Sequence, residues 1–241
     1  MITPLEGEVS KQNRSSTKAF RAWFVTGTDT GVGKTFATCV LIHAARAQGF
    51  AALGMKPVAA GAEQTGGERL NEDTLRLRAA GSFDPGPELI TPYCLRTPAS
   101  PHIAAEKESV RIEPQGIRQA FDALQQRCER LFVEGVGGLL APLGERIDAS
   151  SIARELGLPV ILVTGLRLGC INHTLLTAEA IAARGLYLAG WIANALGPEM
   201  PHQRQNIDAL RQRIDAPLLG TLPHTPGTAP AALAHFISLP S

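Results

Sequence analysis

The 241-residue chain is 44% hydrophobic and carries 23 basic against 22 acidic side chains, a formal charge of +1 spread without blocks. That balance argues against a nucleic-acid footprint or recruitment to an anionic membrane, and no apolar run reaches the roughly 18 residues of a membrane-spanning helix. Cys39, Cys94, Cys128 and Cys170 stand far apart with no C-x-x-C pair, which speaks against a zinc knuckle or a disulfide framework and for a reducing, cytoplasmic setting. Residues 1–19 (MITPLEGEVSKQNRSSTKA) are polar and lack the apolar stretch of a secretory signal. They are expected to form a disordered leader ahead of one domain spanning 20–241.

A short apolar strand, Ala22–Thr26, runs into Gly27-Thr28-Asp29-Thr30-Gly31-Val32-Gly33-Lys34-Thr35, and an amphipathic helix Lys34–Gln48 follows with Val40, Leu41, Ala44 and Ala45 on its buried side. Strand, glycine-rich turn and helix form the context of a phosphate-binding loop. Gly27, Gly31 and Gly33 are expected to take positive φ, so that consecutive N–H groups and the helix N-terminus meet phosphate oxygens. Lys34 supplies a positive charge there, and Thr35 a hydroxyl for Mg²⁺. The spacing departs from Gly-x4-Gly-Lys-Ser/Thr, because five residues separate Gly27 from Gly33 and Thr28 stands where the first glycine belongs.

Further along, Ala51–Lys56 reads as a strand, Asn71–Ala80 and Pro114–Arg127 as helices, Leu131–Glu134 as a strand and Ala149–Leu156 as a short helix. Val160–Val163, Leu186–Ala193 and Pro217–Leu219 read as strands, separated by helices Ile171–Arg184 and Pro201–Arg213. This β–α alternation predicts a P-loop NTPase-like α/β fold, a mostly parallel sheet with helices on both faces and ligands at the carboxyl ends of its strands. Gly27, Lys56, Glu134, Thr164 and Asn194 are then expected on one rim. Asp84–Pro87, Pro98–Pro101 and Pro223–Pro230 mark loops.

Phosphoryl transfer needs cations to spread charge off the terminal phosphate and carboxylates to hold a metal. Glu134 closes the apolar run Leu131-Phe132-Val133 before Gly135-Val136-Gly137-Gly138, an acid at a strand terminus beside backbone that can approach a nucleotide; the competing reading is a solvated strand-end carboxylate. Asp73 stands at a helix start, where an acid serves equally as a cap. Lys56, closing a strand before Pro57, either holds a small anion beside the phosphates or forms a salt bridge. Gly169-Cys170-Ile171-Asn172 enters a helix whose first N–H groups suit a carboxylate, with plain capping by Asn172 as the alternative. His102 and His173 have no partner at metal-ligand spacing.

In order, Gly27–Thr35, Lys56-Pro57-Val58, Asn71–Asp73, Ser100-Pro101-His102, Val133–Gly138, Leu168–His173 and Gly190–Asn194 resemble the dethiobiotin synthetase family over about Phe24 to Leu222. The resemblance implies an ATP-dependent ligase of biotin biosynthesis. It would close the ureido ring of dethiobiotin from 7,8-diaminononanoate and CO₂ (or bicarbonate) through a carbamate and a carbamic-phosphoric anhydride, and work as a homodimer. It further implies that Gly31, Val32, Gly33, Lys34, Thr35 and Phe36 bind the phosphates and that Thr35, Asp73 and Glu134 hold Mg²⁺. Lys56 would be catalytic together with Lys34, and Thr30, Glu134, Gly135, Val136 and Gly137 would face nucleotide and substrate. Asn194, with Pro223, His224 and Thr225 nearby, would meet the adenine, and Gly169, Cys170, Ile171 and Asn172 the substrate carboxylate.

The chain departs from the family pattern at Ala60, where a hydroxyl is frequent, at Gly31, where many members carry Glu, at Ala195 in place of Asp, and at His224 in place of an aromatic residue. A partition ATPase of the deviant loop type would carry a second lysine early in the loop, and residues 28–32 supply none. Its membrane-recruiting terminal helix would be basic, yet Ala229–Pro240 holds no lysine or arginine. A cobyrinate-type amide ligase would add a glutaminase domain, for which the chain is too short.

Overall fold

The computed structural model describes residues 21–65, 68–197 and 200–240, so the leader expected at 1–19 lies outside the described residues. The chain opens with β1 (Ala22–Gly27), α1 (Lys34–Ala47) and β2 (Ala52–Met55), then β3 (Val58–Ala59), β4 (Glu63–Thr65), β5 (Glu68–Leu70), α2 (Glu72–Ala80), α3 (Pro87–Ile90), β6 (Tyr93–Cys94) and α4 (Pro101–Lys107). It continues through α5 (Pro114–Gln125), β7 (Arg130–Glu134), α6 (Ala149–Leu156), β8 (Val160–Leu166), α7 (Cys170–Ala183), β9 (Leu188–Ala195), α8 (Gln203–Arg211), β10 (Leu218–Leu222) and a 3₁₀ helix, Pro230–Phe236.

Among the described residues a six-stranded sheet runs in the order β10-β9-β8-β1-β7-β2, every pair parallel. Parallel strands need crossovers, and those helices bury both faces, which is why β1 and β8 are buried at every position. Side chains alternate between two cores. Phe24, Leu131, Val133 and Leu162 pack with Ile117, Phe121 and Leu124 of α5 on one face. Trp23, Val25, Phe132 and Ile161 pack with Val40 and Leu41 of α1 on the other, where the Trp23 and Phe132 rings stack at 5.4 Å.

Local signals account for the helix ends. Asp148 caps α6, accepting from the Ser151 N–H while Ser151 Oγ accepts from the Asp148 N–H, and Gly157 closes the helix at φ 66°. Helices α3 and α4 begin at Pro87 and Pro101, the last residues of two segments expected to be loops; proline breaks a helix interior but suits its first turn. The two-residue strands β3 and β6, and the β4–β5 hairpin, were not expected from the sequence, being too short to carry a periodic pattern.

Two expectations change. Strand β8 runs to Leu166, so Thr164 lies inside it, bonded to Thr174 Oγ1 at 3.1 Å, and is not on the rim. Gly27 is not in the left-handed region; its Cβ position would lie 2.6 Å from Val32 Cγ2, so glycine is needed there for close packing. Among the described residues no helix is long and apolar enough to cross a membrane.

Candidate active site

The carboxyl ends of β1, β2 and β7 open on a cleft of about 750 Å³. Gly31 (φ 74°) and Gly33 (φ 83°) turn the loop after β1 into α1, and a Cβ at Gly33 would lie 2.1 Å from Asn194 Nδ2. Helix α1 has no side-chain cap and no acid in its first turn, and its first internal bond runs from the Ala37 N–H to the Gly33 carbonyl. The N–H groups of Lys34, Thr35 and Phe36 therefore have no acceptor within the helix, and with the helix dipole they form an anion site.

Lys34 is buried and its Nζ donates to the Asp29 carbonyl at 2.8 Å, drawing the loop closed. Burial first, and then the Lys56 charge, lower the Lys34 ammonium to about 8, with Glu134, Asp73 and Asp29 offsetting part of the effect. The Asp29 carboxylate is a second tie: Oδ1 accepts from the Thr30 N–H at 2.7 Å, and Oδ2 from Arg167 Nη2 at 2.7 Å.

Thr35 Oγ1 lies 2.8 Å from Asp73 Oδ1 and 2.7 Å from Glu134 Oε1. A hydroxyl has one proton, so it serves only one of these carboxylates at a time. Glu134 is fully buried, and its Oε2 has no hydrogen-bond partner among the described residues. A buried carboxylate oxygen left in this way is strongly unfavourable, and a bound cation or its water shell would satisfy it. Among the described residues no cluster of three or more His, Cys, Asp or Glu side chains could hold a metal. Mg²⁺ does not need one, since it binds through one or two carboxylates, phosphates and waters; Thr35, Asp73 and Glu134 fit that demand.

Lys56 shows the salt-bridge alternative realised. Its buried ammonium donates to Glu134 Oε1 at 2.5 Å and Asp73 Oδ2 at 2.9 Å, with Gly135 O at 3.3 Å taking its third donor. Burial alone would lower its pKa, but Glu134 and Asp73 together outweigh that and raise it, so the lysine stays charged. For Asp73, burial pushes upward, and the Lys56 charge and hydrogen bond, the Thr35 hydroxyl and Arg76 hold it below the ordinary range. Asp73 is not the cap of α2. Asn71 is, its Oδ1 accepting the Asp73 N–H at 2.9 Å, which leaves the Asp73 carboxylate for the site.

Of the residues expected from the sequence, Thr30, Gly31, Gly33, Lys34, Thr35, Phe36, Lys56, Asp73, Val136 and Gly137 line the cleft. Glu134 reaches it through Thr35 and Lys56. Val32 is buried against Gly27, and a Cβ at Gly135 would lie 2.8 Å from the Phe24 ring, so these two offer backbone only. Asn194 lies under the loop, Nδ2 donating to Val32 O at 2.9 Å, which leaves its oxygen as the free acceptor. The pairing of Leu222 with Asn194 carries Pro223, His224 and Thr225 to the same side, where Thr225 Oγ1 is enclosed without a partner among the described residues.

Gly169 to Asn172 do not line the cleft. They form the start of α7, which Gly169 enters at φ 92° without a side-chain cap, so capping by Asn172 is not realised. Cys170 is buried and its N–H donates to Arg167 O, which leaves the Ile171 and Asn172 N–H groups as the available donors. Asn71, Ser100 and Pro101, which stand in the motifs of the family resemblance, also form part of the wall, and Arg76 is a wall residue that sequence reasoning missed. Arg76 was within reach of it, three residues beyond Asp73 and so on the same helix face.

A family model described as an AAA domain matches residues 21–232. Among solved structures, the fold is similar to the cell division ATPase MinD of Pyrococcus furiosus (TM-score 0.52, 20% identity, 86% of this chain and 84% of that one). It is also similar to the cell division protein FtsY of Thermotoga maritima (TM-score 0.54, 13% identity, 91% and 69%). At such identities the likeness establishes the fold alone. The ATP-dependent dethiobiotin synthetase BioD of Aromatoleum aromaticum is 61% identical over 220 residues, covering 91% of this chain and 98% of the relative. The proteins of the same name from Xanthomonas euvesicatoria pv. vesicatoria (91% and 98% covered) and Nitrosospira multiformis (85% and 88%) are each 48% identical. Because relatives 48–61% identical are matched over 85–91% of this chain and 88–98% of their own length, the chain belongs to the ATP-dependent dethiobiotin synthetase family.

Proposed function

We propose that this chain is a cytoplasmic, ATP-dependent cyclo-ligase that makes dethiobiotin, ADP and phosphate from 7,8-diaminononanoate, CO₂ and ATP, with 20–241 as its catalytic domain. The observation that carries the reading is the meeting of an uncapped helix N-terminus with Lys34, Lys56 and two carboxylates at one end of a cleft whose remaining wall includes Ala59, Ala60, Pro98, Val136 and Ala141. The polar end suits a polyphosphate and the apolar wall a methylene chain.

One substrate amine adds to CO₂ and loses a proton, giving a carbamate. A carbamate oxygen attacks the terminal phosphorus and ADP departs. The second amine then attacks the carbonyl carbon of the mixed anhydride, phosphate leaves, and the ring closes. Two anions must come within bonding distance in the middle step, and Lys34 and Lys56 hold them there. The Gly135 carbonyl, at 3.3 Å the longest of the Lys56 contacts, is the one a carbamate oxygen displaces most readily. Mg²⁺, held by Thr35, Asp73 and Glu134, would neutralise part of the phosphate charge. The Asn194 amide oxygen suits an amino group of the base, with Pro223 to Thr225 beside it.

The start of α7 stands apart from the cleft, which favours a homodimer in which a partner presents its Ile171 and Asn172 N–H groups to the substrate carboxylate. Leu168 is 95% exposed and Leu176 57%, a large apolar exposure on one loop and helix. Turnover is tested by ADP release with 7,8-diaminononanoate and bicarbonate, each omitted in turn. ADP release independent of the diamine would overturn the assignment. Equilibrium sedimentation tests the assembly, and a monomer at assay concentration would remove the shared site.

A further inference from the structure

Arg76 lies on the wall of the cleft, on α2 beyond Asp73, and the reaction as derived gives it no part. We propose that Arg76 is a third cation of the nucleotide site: it leaves Glu72 and pairs directly with the polyphosphate when a nucleoside triphosphate binds. The inference rests on the reading of the cleft as a nucleotide site and deepens it.

Charge balance is the first support. The Lys56 charge is already offset by Asp73 and Glu134, and its remaining contact is the one given to the carbamate, so Lys34 and Arg76 are the cations of the lining left to meet the polyphosphate. A nucleoside triphosphate keeps roughly two negative charges even with one divalent cation bound, and Lys34 alone answers about half of that.

Reach is the second. Side chains on a helix lean toward its N-terminus, so the Arg76 guanidinium overlies the turn that bears Glu72 and Asp73. The backbone beneath it is anchored to α1, since Arg76 O accepts from Cys39 Sγ at 3.6 Å, one turn below Thr35. The weakness of its present partner is the third. Arg76 Nη2 meets Glu72 Oε1 at 2.5 Å, but the two side chains are 55% and 75% exposed, and an exposed pair four residues apart contributes little. A phosphate offers the same guanidinium a two-pronged, doubly charged acceptor, so exchange of Glu72 for phosphate is favoured.

Titration calorimetry with magnesium AMP-PNP tests this on the full chain. Arg76→Ala is expected to weaken binding about fivefold and to flatten its salt dependence, with Arg76→Lys between the two. Glu72→Gln should act in the opposite direction and tighten binding by about twofold, because the competing carboxylate is gone. Unchanged affinity in Arg76→Ala overturns the proposal. Weakening in Glu72→Gln overturns it too, since the pair would then act as a clamp on α2. Wild-type protein that fails to bind AMP-PNP would sink the nucleotide reading itself, whereas binding without turnover of 7,8-diaminononanoate would sink only the proposed reaction.

Discussion

Lys34 exposes the phosphate loop to a test by pH, because without a ligand its ammonium is held at about 8. Burial is the main cause, Lys56 adds repulsion, and the acids Glu134, Asp73 and Asp29 return only part. In the unfolded chain the same group titrates at its ordinary value of 10.5. The folded state thus binds this proton more weakly than the unfolded one. The resulting loss of stability, about 3 kcal/mol, is complete below about pH 8 and disappears as the pH rises from there to about 10.5. A bound polyanion reverses the preference by favouring the charged form. Affinity for magnesium AMP-PNP should therefore be level up to about pH 7.5 and fall about tenfold per unit above 8, so that Kd at pH 9 is about tenfold that at pH 7. A phosphate whose last pKa lies near 6 is about nine-tenths ionised at pH 7 and about fully so at pH 8, so the ligand charge changes little across this window. Calorimetry in two buffers of different ionisation enthalpy should register uptake of about half a proton at pH 8. Lys34→Arg should give a flat profile, because guanidinium does not titrate there. A wild-type Kd that is invariant from pH 7 to 9, or proton release at pH 8, would refute the placing of Lys34 against the phosphates.

Lys56→Ala should lower turnover by more than about tenfold, since a lost preorganised donor costs about 3 kcal/mol in the transition state, while AMP-PNP affinity changes by less than about threefold. It also strands Glu134 among buried groups and should lower the unfolding free energy by about 3 kcal/mol, read from denaturant melts; turnover near the wild-type value would remove Lys56 from the reaction. Gly33→Ala combines a left-handed backbone, worth about 1–2 kcal/mol of strain, with a clash against Asn194. Gly31→Ala carries similar strain but meets nothing within 4 Å, so its nucleotide affinity should suffer less. Equal losses in calorimetry would show that contact with Asn194 does not hold the loop.

The strand-and-helix alternation was legible because long buried strands and amphipathic helices are periodic, and α6 runs from Ala149 to Leu156 as expected. Glu134 and Lys56 could be placed at the cleft because an ionisable residue closing an apolar strand has only the rim to occupy. Their partnership could not, since the Lys56–Glu134 and Lys56–Asp73 contacts depend on the order of strands and on how α2 docks. The α3 and α4 helices were hidden by the prolines that start them. Asn194 shows the limit most plainly. Nothing near it in sequence tells that its amide lies under Gly33, yet that packing explains why residue 33 has no room for a side chain.

Three features of the cleft oppose folding and sit within one side chain's reach of each other. Helix α1 starts without a side-chain cap, Lys34 is buried against its preference, and Glu134 Oε2 is enclosed without a partner among the described residues. Each alone would be a defect that substitution could repair: an acid or serine at the start of α1, a methionine at 34, a glutamine at 134. Each repair would also fill the place of one part of a ligand, respectively the phosphate oxygens, their negative charge and the metal that accompanies them. A single magnesium nucleotide relieves all three at once, and no apolar or cationic ligand would relieve more than one. That coincidence of local costs explains why the loop tolerates a spacing unlike the usual pattern: what the chemistry requires is the set of unmet donors and acceptors, and Gly31, Gly33 and the start of α1 hold that set in place.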